Sequence, residues 1–138
     1  MRTVVEKLGL KPSMKAYLLN APVDFQKQVE TSVEKVSNRL VGEFDYIHFF
    51  ANSQSLLKKE IPRLKKHLTP KGTLWISWKK NRKDDSDLTI KNVIEIGYDF
   101  GMVESKAISI DDDWSALKFT FPIEGKVYKN SYGKLKKE

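Results

Sequence analysis

The sequence predicts an α/β domain, a mostly parallel sheet between helical layers that is closed by an antiparallel hairpin. Three observations lead there. Short apolar runs at Lys15–Asn20, Phe44–Ala51 and Thr73–Trp78 have the length and composition of buried strands. Helical stretches fall between them, and alternating strands and helices form parallel sheets with right-handed crossovers. The last two runs, Val103–Ile110 and Ser115–Phe121, are separated only by a short aspartate turn. A parallel crossover needs a dozen residues or more, so this pair must be antiparallel.

Each element has its own signal. Thr3–Leu8 reads as a short helix ended by Gly9. The first strand closes at Asn20-Ala21-Pro22, and Val23–Val29 follows as a helix with Pro22 or Asp24 at its start. Val33–Leu40 fits a helix or a short edge strand equally well. Phe44–Ala51 is apolar on both faces, as in a central parallel strand. Ser53 or Ser55 can cap the next helix, whose apolar positions are Leu57, Ile61, Leu64 and Leu68. Pro62 should kink or restart that helix. Thr69-Pro70-Lys71-Gly72 reads as a turn, and 79–87 as a hydrophilic loop. Thr89 can cap a helix running to Phe100, with Gly101 at its end. These signals divide the chain into a single domain over 1–124 and a basic tail over 125–138. The tail lacks apolar periodicity, is expected to be flexible, and should cost little to remove.

Composition excludes several chemistries. The chain has 138 residues and no cysteine, so disulfides, thiolate catalysis, zinc fingers and iron–sulfur clusters are ruled out. Two histidines, His48 and His67, are too few for a histidine-rich metal site. A charged start, Met1–Lys7, does not resemble a signal peptide, and no apolar run nears the ~20 residues that span a bilayer. A cytoplasmic location without membrane contact is therefore expected. Net charge is +7 but uneven: residues 53–83 carry ten basic and one acidic side chain, and 84–125 carry three basic and ten acidic. A polyanion attracted by the first segment would be repelled by the second.

The element order is Rossmann-like and resembles the later portion of the S-adenosylmethionine-dependent methyltransferase fold. Phe44–Phe49 looks like that fold's fourth strand, and Leu68-Thr69-Pro70-Lys71-Gly72-Thr73-Leu74 resembles its approach to the fifth. Ile96–Met102 with Val103 resembles its last helix and sixth strand. The whole chain also resembles a small bacterial family of domains of unknown function. The segments that carry this likeness are Leu8–Pro12, Leu18–Pro22, Trp75–Lys80 and Trp114–Phe119. The second resemblance implies a shared fold and no known activity.

The likeness to methyltransferases breaks at the cofactor turn. A glycine-rich turn lets backbone N–H groups approach the cofactor carboxylate. Here the turn is Asn20-Ala21-Pro22-Val23-Asp24, without glycine, and Pro22 removes a donor. Glu43, the nearest acidic residue for ribose hydroxyls, stands at the head of the next strand. No cofactor is expected.

Ligands of open parallel sheets lie beyond the carboxyl ends of strands. That edge should carry Asn20, Pro22, Asn52, Ser53, Trp78, Lys79 and Lys80. The asparagines suit a small polar ligand or serve only as turn residues, and Ser53 suits an anion or serves only as a cap. Trp75 and Trp78 point to opposite faces of one strand. Trp114, beside the aspartate turn, is a packed residue or a contact residue. Lys118 within the last strand lies at a sheet edge, pairs with an aspartate or faces the cleft. His48, among Ile47, Phe49 and Phe50, reads as a satisfied core residue. Asp111, Asp112 and Asp113 read as a solvated turn rather than a calcium loop. The expectation is a non-catalytic binding or regulatory module whose partner is a small anionic ligand or a protein. An enzyme acting on a small anionic substrate is the first alternative, and weak nucleic-acid binding through 53–83 the second.

Overall fold

The computed structural model describes residues 3–128 and 132–135. The elements run α1 (Val4–Leu8), β1 (Lys15–Leu19), α2 (Val23–Ser32), β2 (Lys35–Ser37), β3 (Phe44–Phe50), α3 (Gln54–Lys65), β4 (Leu68–Lys79), α4 (Ile90–Asp99), β5 (Val103–Ser109) and β6 (Trp114–Thr120). One sheet holds the six strands in the order β2-β1-β3-β4-β6-β5. The pairs β1–β2, β1–β3 and β3–β4 are parallel, and β6 runs antiparallel to both β4 and β5. This is the predicted architecture, and it resolves 33–40 as an edge strand.

The sheet has two covered faces. On one, α3 and α4 bury Leu57, Ile61, Leu64, Val93 and Ile96 against Ile47, Phe49, Ile76, Leu117 and Phe119. Each such aliphatic side chain contributes on the order of 2 kcal/mol when removed from water. On the other face, α1 and α2 bury Leu8, Phe25 and Val29 against Tyr46, Phe50, Trp75 and Ala116. Trp75 and Trp78 therefore serve opposite faces, as their three-residue spacing requires.

Helix ends follow the sequence closely. The Thr3 hydroxyl accepts from the Glu6 N–H, and Gly9 closes α1 in the left-handed region at φ 73°. Ser53 Oγ accepts from the Leu56 N–H at 3.1 Å and opens α3. Thr89 and Asn92 form a reciprocal capping box at α4. Two local expectations are corrected. Pro62 neither kinks nor restarts α3, which is continuous over Gln54–Lys65. The N–H that Pro62 lacks would have met the carbonyl of exposed Lys58, which water can satisfy. The stretch Thr69–Gly72 is the start of β4 rather than a separate turn. Its register against β3 jumps from Phe44↔Leu68 to Tyr46↔Thr73, so the excess residues bulge out of the ladder.

The segment after Gly125 has anchors that its sequence did not announce. Tyr128 and Leu135 are partly buried against the α3–α4 core, and the Ile123 N–H donates to the Tyr128 hydroxyl at 2.8 Å.

Candidate functional site

A cleft of about 800 Å³ opens at the carboxyl end of β4. That volume lies in the usual range for small-molecule sites. Trp78 and Leu88, both almost fully buried, form its apolar wall. Ala107 and Ser109 from β5 and Ser115 from β6 contribute short side chains below it. These side chains are small and leave the sheet surface open beside the start of α4. Thr89 and Ile90, at the start of α4, close one end. The rim is cationic, with Lys79, Lys80 and Arg82 lining the cleft and no carboxylate among the residues that line it.

The cations are not equivalent. Lys80 Nζ, just past the end of β4, donates to Ser109 Oγ of β5 at 2.5 Å across the cleft. The Ser109 hydroxyl donates onward to the Asp111 carbonyl at 3.1 Å. The Lys79 ammonium instead pairs with Asp84 at 3.2 Å and lies 4.8 Å from the centre of the Trp114 ring. Neither Asp84 nor Trp114 lines the cleft. Arg82 sits on an irregular segment over 80–85 in which Asn81, Arg82, Asp84 and Asp85 all have φ between 55° and 60°. Four non-glycine residues in the left-handed region cost backbone energy that their surroundings must offset. Those surroundings are the Lys79–Asp84 pair, a Lys83–Asp113 pair at 3.2 Å and a Lys80 N–H donated to the Asp113 carbonyl at 2.8 Å.

The structure thus gathers Trp78, Lys79 and Lys80 into one site and leaves the other candidates outside it. Asn20 ends β1 at φ 58° and is exposed, and Pro22 is the residue from which α2 starts. Asn52 is exposed beyond β3, and Ser53 is committed to capping α3. At that helix start the Gln54 N–H already donates to the Asp87 carboxylate at 2.8 Å, so an acidic side chain of this chain fills the position an anion would take. Trp114 is partly buried, edge-on to Phe50 at 4.9 Å. Lys118 lies on β6, an interior strand, between Trp75 of β4 and Lys106 of β5. Arg82, Leu88, Ala107 and Ser109 line the cleft without having been singled out. Nothing in their spacing marks them, because β5 meets β4 only through β6.

Away from the cleft, a polar relay crosses the α1–α2 face of the sheet. The Tyr46 hydroxyl lies 2.7 Å from His48 Nδ1, and His48 Nε2 lies 2.6 Å from Ser77 Oγ. Tyr46, His48 and Ser77 have no exposed surface. Phe50 stacks on the imidazole at 4.5 Å and Phe25 meets it edge-on at 4.8 Å. Burial pushes His48 down to about 3 and the Tyr46 hydroxyl well above its usual range. The histidine is neutral, with one ring nitrogen donating and the other accepting. A serine beside a histidine is a hydrolase arrangement, but here no substrate atom can reach Ser77. The relay is structural.

No group of histidine, cysteine or carboxylate side chains suited to a metal ion exists among the described residues. No helix among them is long and apolar enough to cross a membrane.

No protein-family model matches the chain, and no curated protein matches it. Solved structures do. The N-methyltransferase NodS from Bradyrhizobium japonicum superimposes with a TM-score of 0.61 at 15% identity, over 87% of this chain and 94% of that one. A methyltransferase from Pyrococcus furiosus gives 0.56 at 15% identity, over 87% and 80%. The ribosomal protein L11 methylase from Lactobacillus delbrueckii gives 0.54 at 12% identity, over 86% and 74%. At these identities the likeness is one of fold and carries no activity with it. The chain has the methyltransferase-like α/β fold, with a mostly parallel six-stranded sheet ending in the antiparallel β4-β6-β5 arrangement.

Proposed function

We propose that this chain is a non-catalytic binding module on a methyltransferase-like fold, and that it takes a small anionic ligand in the cleft between β4, β6, β5 and α4. The observation that carries this reading is the cleft itself, which joins an apolar wall to a cationic rim without an opposing carboxylate. Two further facts support it. The β1 turn offers Asn20-Ala21-Pro22 where a cofactor carboxylate would need glycine amides. Segments Trp75–Lys80 and Trp114–Phe119, which carry the resemblance to the family of domains of unknown function, are hydrogen-bonded neighbours, with Trp75 opposite Lys118 and Lys79 opposite Trp114. A shared ligand site at the end of that ladder would account for both segments together.

Amide shift mapping of the isotope-labelled protein tests the reading with two titrants. An amphipathic anion such as naphthoate should move amides in 78–82, 88–90 and 107–116. S-adenosylmethionine at millimolar concentration should move nothing. Saturable shifts at 20–24 and 51–54 with the cofactor would replace this reading with that of an active methyltransferase.

A second reading rests on the 2.5 Å contact of Lys80 Nζ with Ser109 Oγ, which would suit an acyl-transfer enzyme. Against it, Ser109 is exposed and its proton is engaged by the Asp111 carbonyl. Hydrolysis of an activated ester lost in Ser109→Ala would favour the enzyme.

A further inference from the structure

We propose that the ligand's anionic head is a single small group, a carboxylate, sulfonate or phosphate, read by Lys80 and Arg82, and that its body is a flat apolar group lying against Trp78, Ile90 and Ala107. This rests on the cleft being a binding site at all, and it adds the class of ligand that the cleft selects.

The charges at the rim set the head group. Five residues over 79–83 include four cations, Lys79, Lys80, Arg82 and Lys83. Two of these are neutralised within the chain, Lys79 by Asp84 and Lys83 by Asp113, each at 3.2 Å. Among the described residues, Lys80 has only the neutral Ser109 hydroxyl as a side-chain partner. Arg82 lines the cleft on an exposed side chain. Two cations therefore remain for a ligand, enough for one anionic group. With Asp84 and Asp113 already paired with Lys79 and Lys83, the segments 79–85 and 111–113 still carry Asp85, Asp111 and Asp112. Three carboxylates against two cations leave these segments net negative, so a second or third phosphate would meet repulsion. A polyphosphate or a nucleic-acid backbone is disfavoured by the same count that favours a monoanion. The wall sets the other half of the ligand. Trp78 and Leu88 are apolar and almost fully buried, and Ile90 and Ala107 add exposed apolar surface to the wall. An anion without an apolar body would leave that wall wet and gain nothing from it.

Dye binding by fluorescence separates the terms. Anilinonaphthalene sulfonate carries one anionic head on a flat body, and N-phenylnaphthylamine is the same body without the head. The sulfonate dye is expected to bind at least about tenfold tighter than the uncharged one, equivalent to about 1.4 kcal/mol. In Lys80→Gln that preference should fall to about threefold or less. Ala107→Trp, at an exposed edge-strand position that lines the cleft, should abolish both signals, with Ser109→Trp as a second blocking variant and thermal melts confirming that each folds. Tripolyphosphate at matched ionic strength should not displace the dye. If neither dye binds the intact protein, or if both blocking variants bind it unchanged, the cleft is not a binding site and the underlying reading falls with the inference. If both dyes bind equally and the blocking variants lose them, the site stands and the head-group assignment is overturned. Displacement by tripolyphosphate at concentrations below that of the dye would overturn the monoanion in favour of a polyanion.

Discussion

His48 Nε2 lies 2.6 Å from Ser77 Oγ, side chain to side chain across two neighbouring parallel strands, with neither residue exposed to solvent. Together with Tyr46 at the other ring nitrogen, this gives the centre of the sheet a polar relay inside an aromatic shell. A buried polar group is tolerated when its partners are present and costly when one is removed. His48→Phe should leave both hydroxyls without the ring and lower stability by about 2–4 kcal/mol. The triple change Tyr46→Phe, His48→Phe, Ser77→Ala removes every member of the relay and should be less destabilised than the single change. Urea unfolding of both variants checks the order. A triple variant worse than the single one would mean that packing, not hydrogen bonding, sets the cost.

The same histidine sets a pH dependence. Its folded-state value is held at about 3, against an ordinary 6.5 when unfolded. Because the native value is depressed, the contribution is full above about pH 6.5. It is lost as the pH falls from there towards 3, where the unfolded chain binds a proton that the native state refuses. Melting temperatures should decline over that window, and the decline should be shallower in the triple variant, which has no buried imidazole. Equal slopes in the two proteins would assign the acid sensitivity to carboxylates instead.

Gly97 makes a sharper steric test. In an exposed helix, glycine to alanine stabilises by up to about 1 kcal/mol. In α4 the added methyl would fall within the Phe119 ring, which is fully buried. Gly97→Ala should reverse the usual sign and cost about 1–3 kcal/mol. A melt unchanged from the parent would show that the β6 side of the core yields easily.

The expectation that the tail is dispensable can be tested directly. Tyr128 and Leu135 pack on the core, and a Cβ at Gly133 would meet the Tyr98 ring. A chain ending near Gly125 should melt lower by about 4 °C, the shift that about 1 kcal/mol produces in a domain of this size. Tyr128→Phe, which loses only the bond from the Ile123 N–H, should melt between the two. No shift on truncation would restore the expectation of a dispensable tail.

Nucleic-acid binding should be weak even at low salt. Within the basic stretch 53–83, Arg63 is paired with Glu60, Lys79 with Asp84 and Lys83 with Asp113, while Lys65 donates to the Phe100 carbonyl at the end of α4. Neither Trp75 nor Trp78 offers an exposed ring for a base to stack on. Anisotropy with labelled single- and double-stranded oligonucleotides is expected to give only weak, steeply salt-sensitive binding. Sub-micromolar binding lost on Lys65, Lys66, Lys79 and Lys80→Glu would make nucleic acid the leading partner.

The sequence by itself determined most of the secondary structure, the mixed sheet and much of the sorting of faces. Those properties rest on local spacing: Trp75 and Trp78 three apart in a strand, Leu57, Ile61 and Leu64 on one helical stripe, Thr89 three residues before Asn92. It also marked Trp78, Lys79 and Lys80, because a parallel strand's carboxyl end is where a site forms. Only the tertiary structure decided the rest. It joined these residues to Arg82, Leu88, Ala107 and Ser109, closed the α3 start with Asp87, and gave His48 its serine. It also neutralised Lys79 and Lys83 while leaving Lys80 to a hydroxyl. The physical reason is that hydrophobic period and helix caps act within a few residues of chain. Which cation meets a carboxylate and which a hydroxyl depends instead on contacts between segments some thirty residues apart in sequence, as for Lys83 with Asp113 and Lys80 with Ser109.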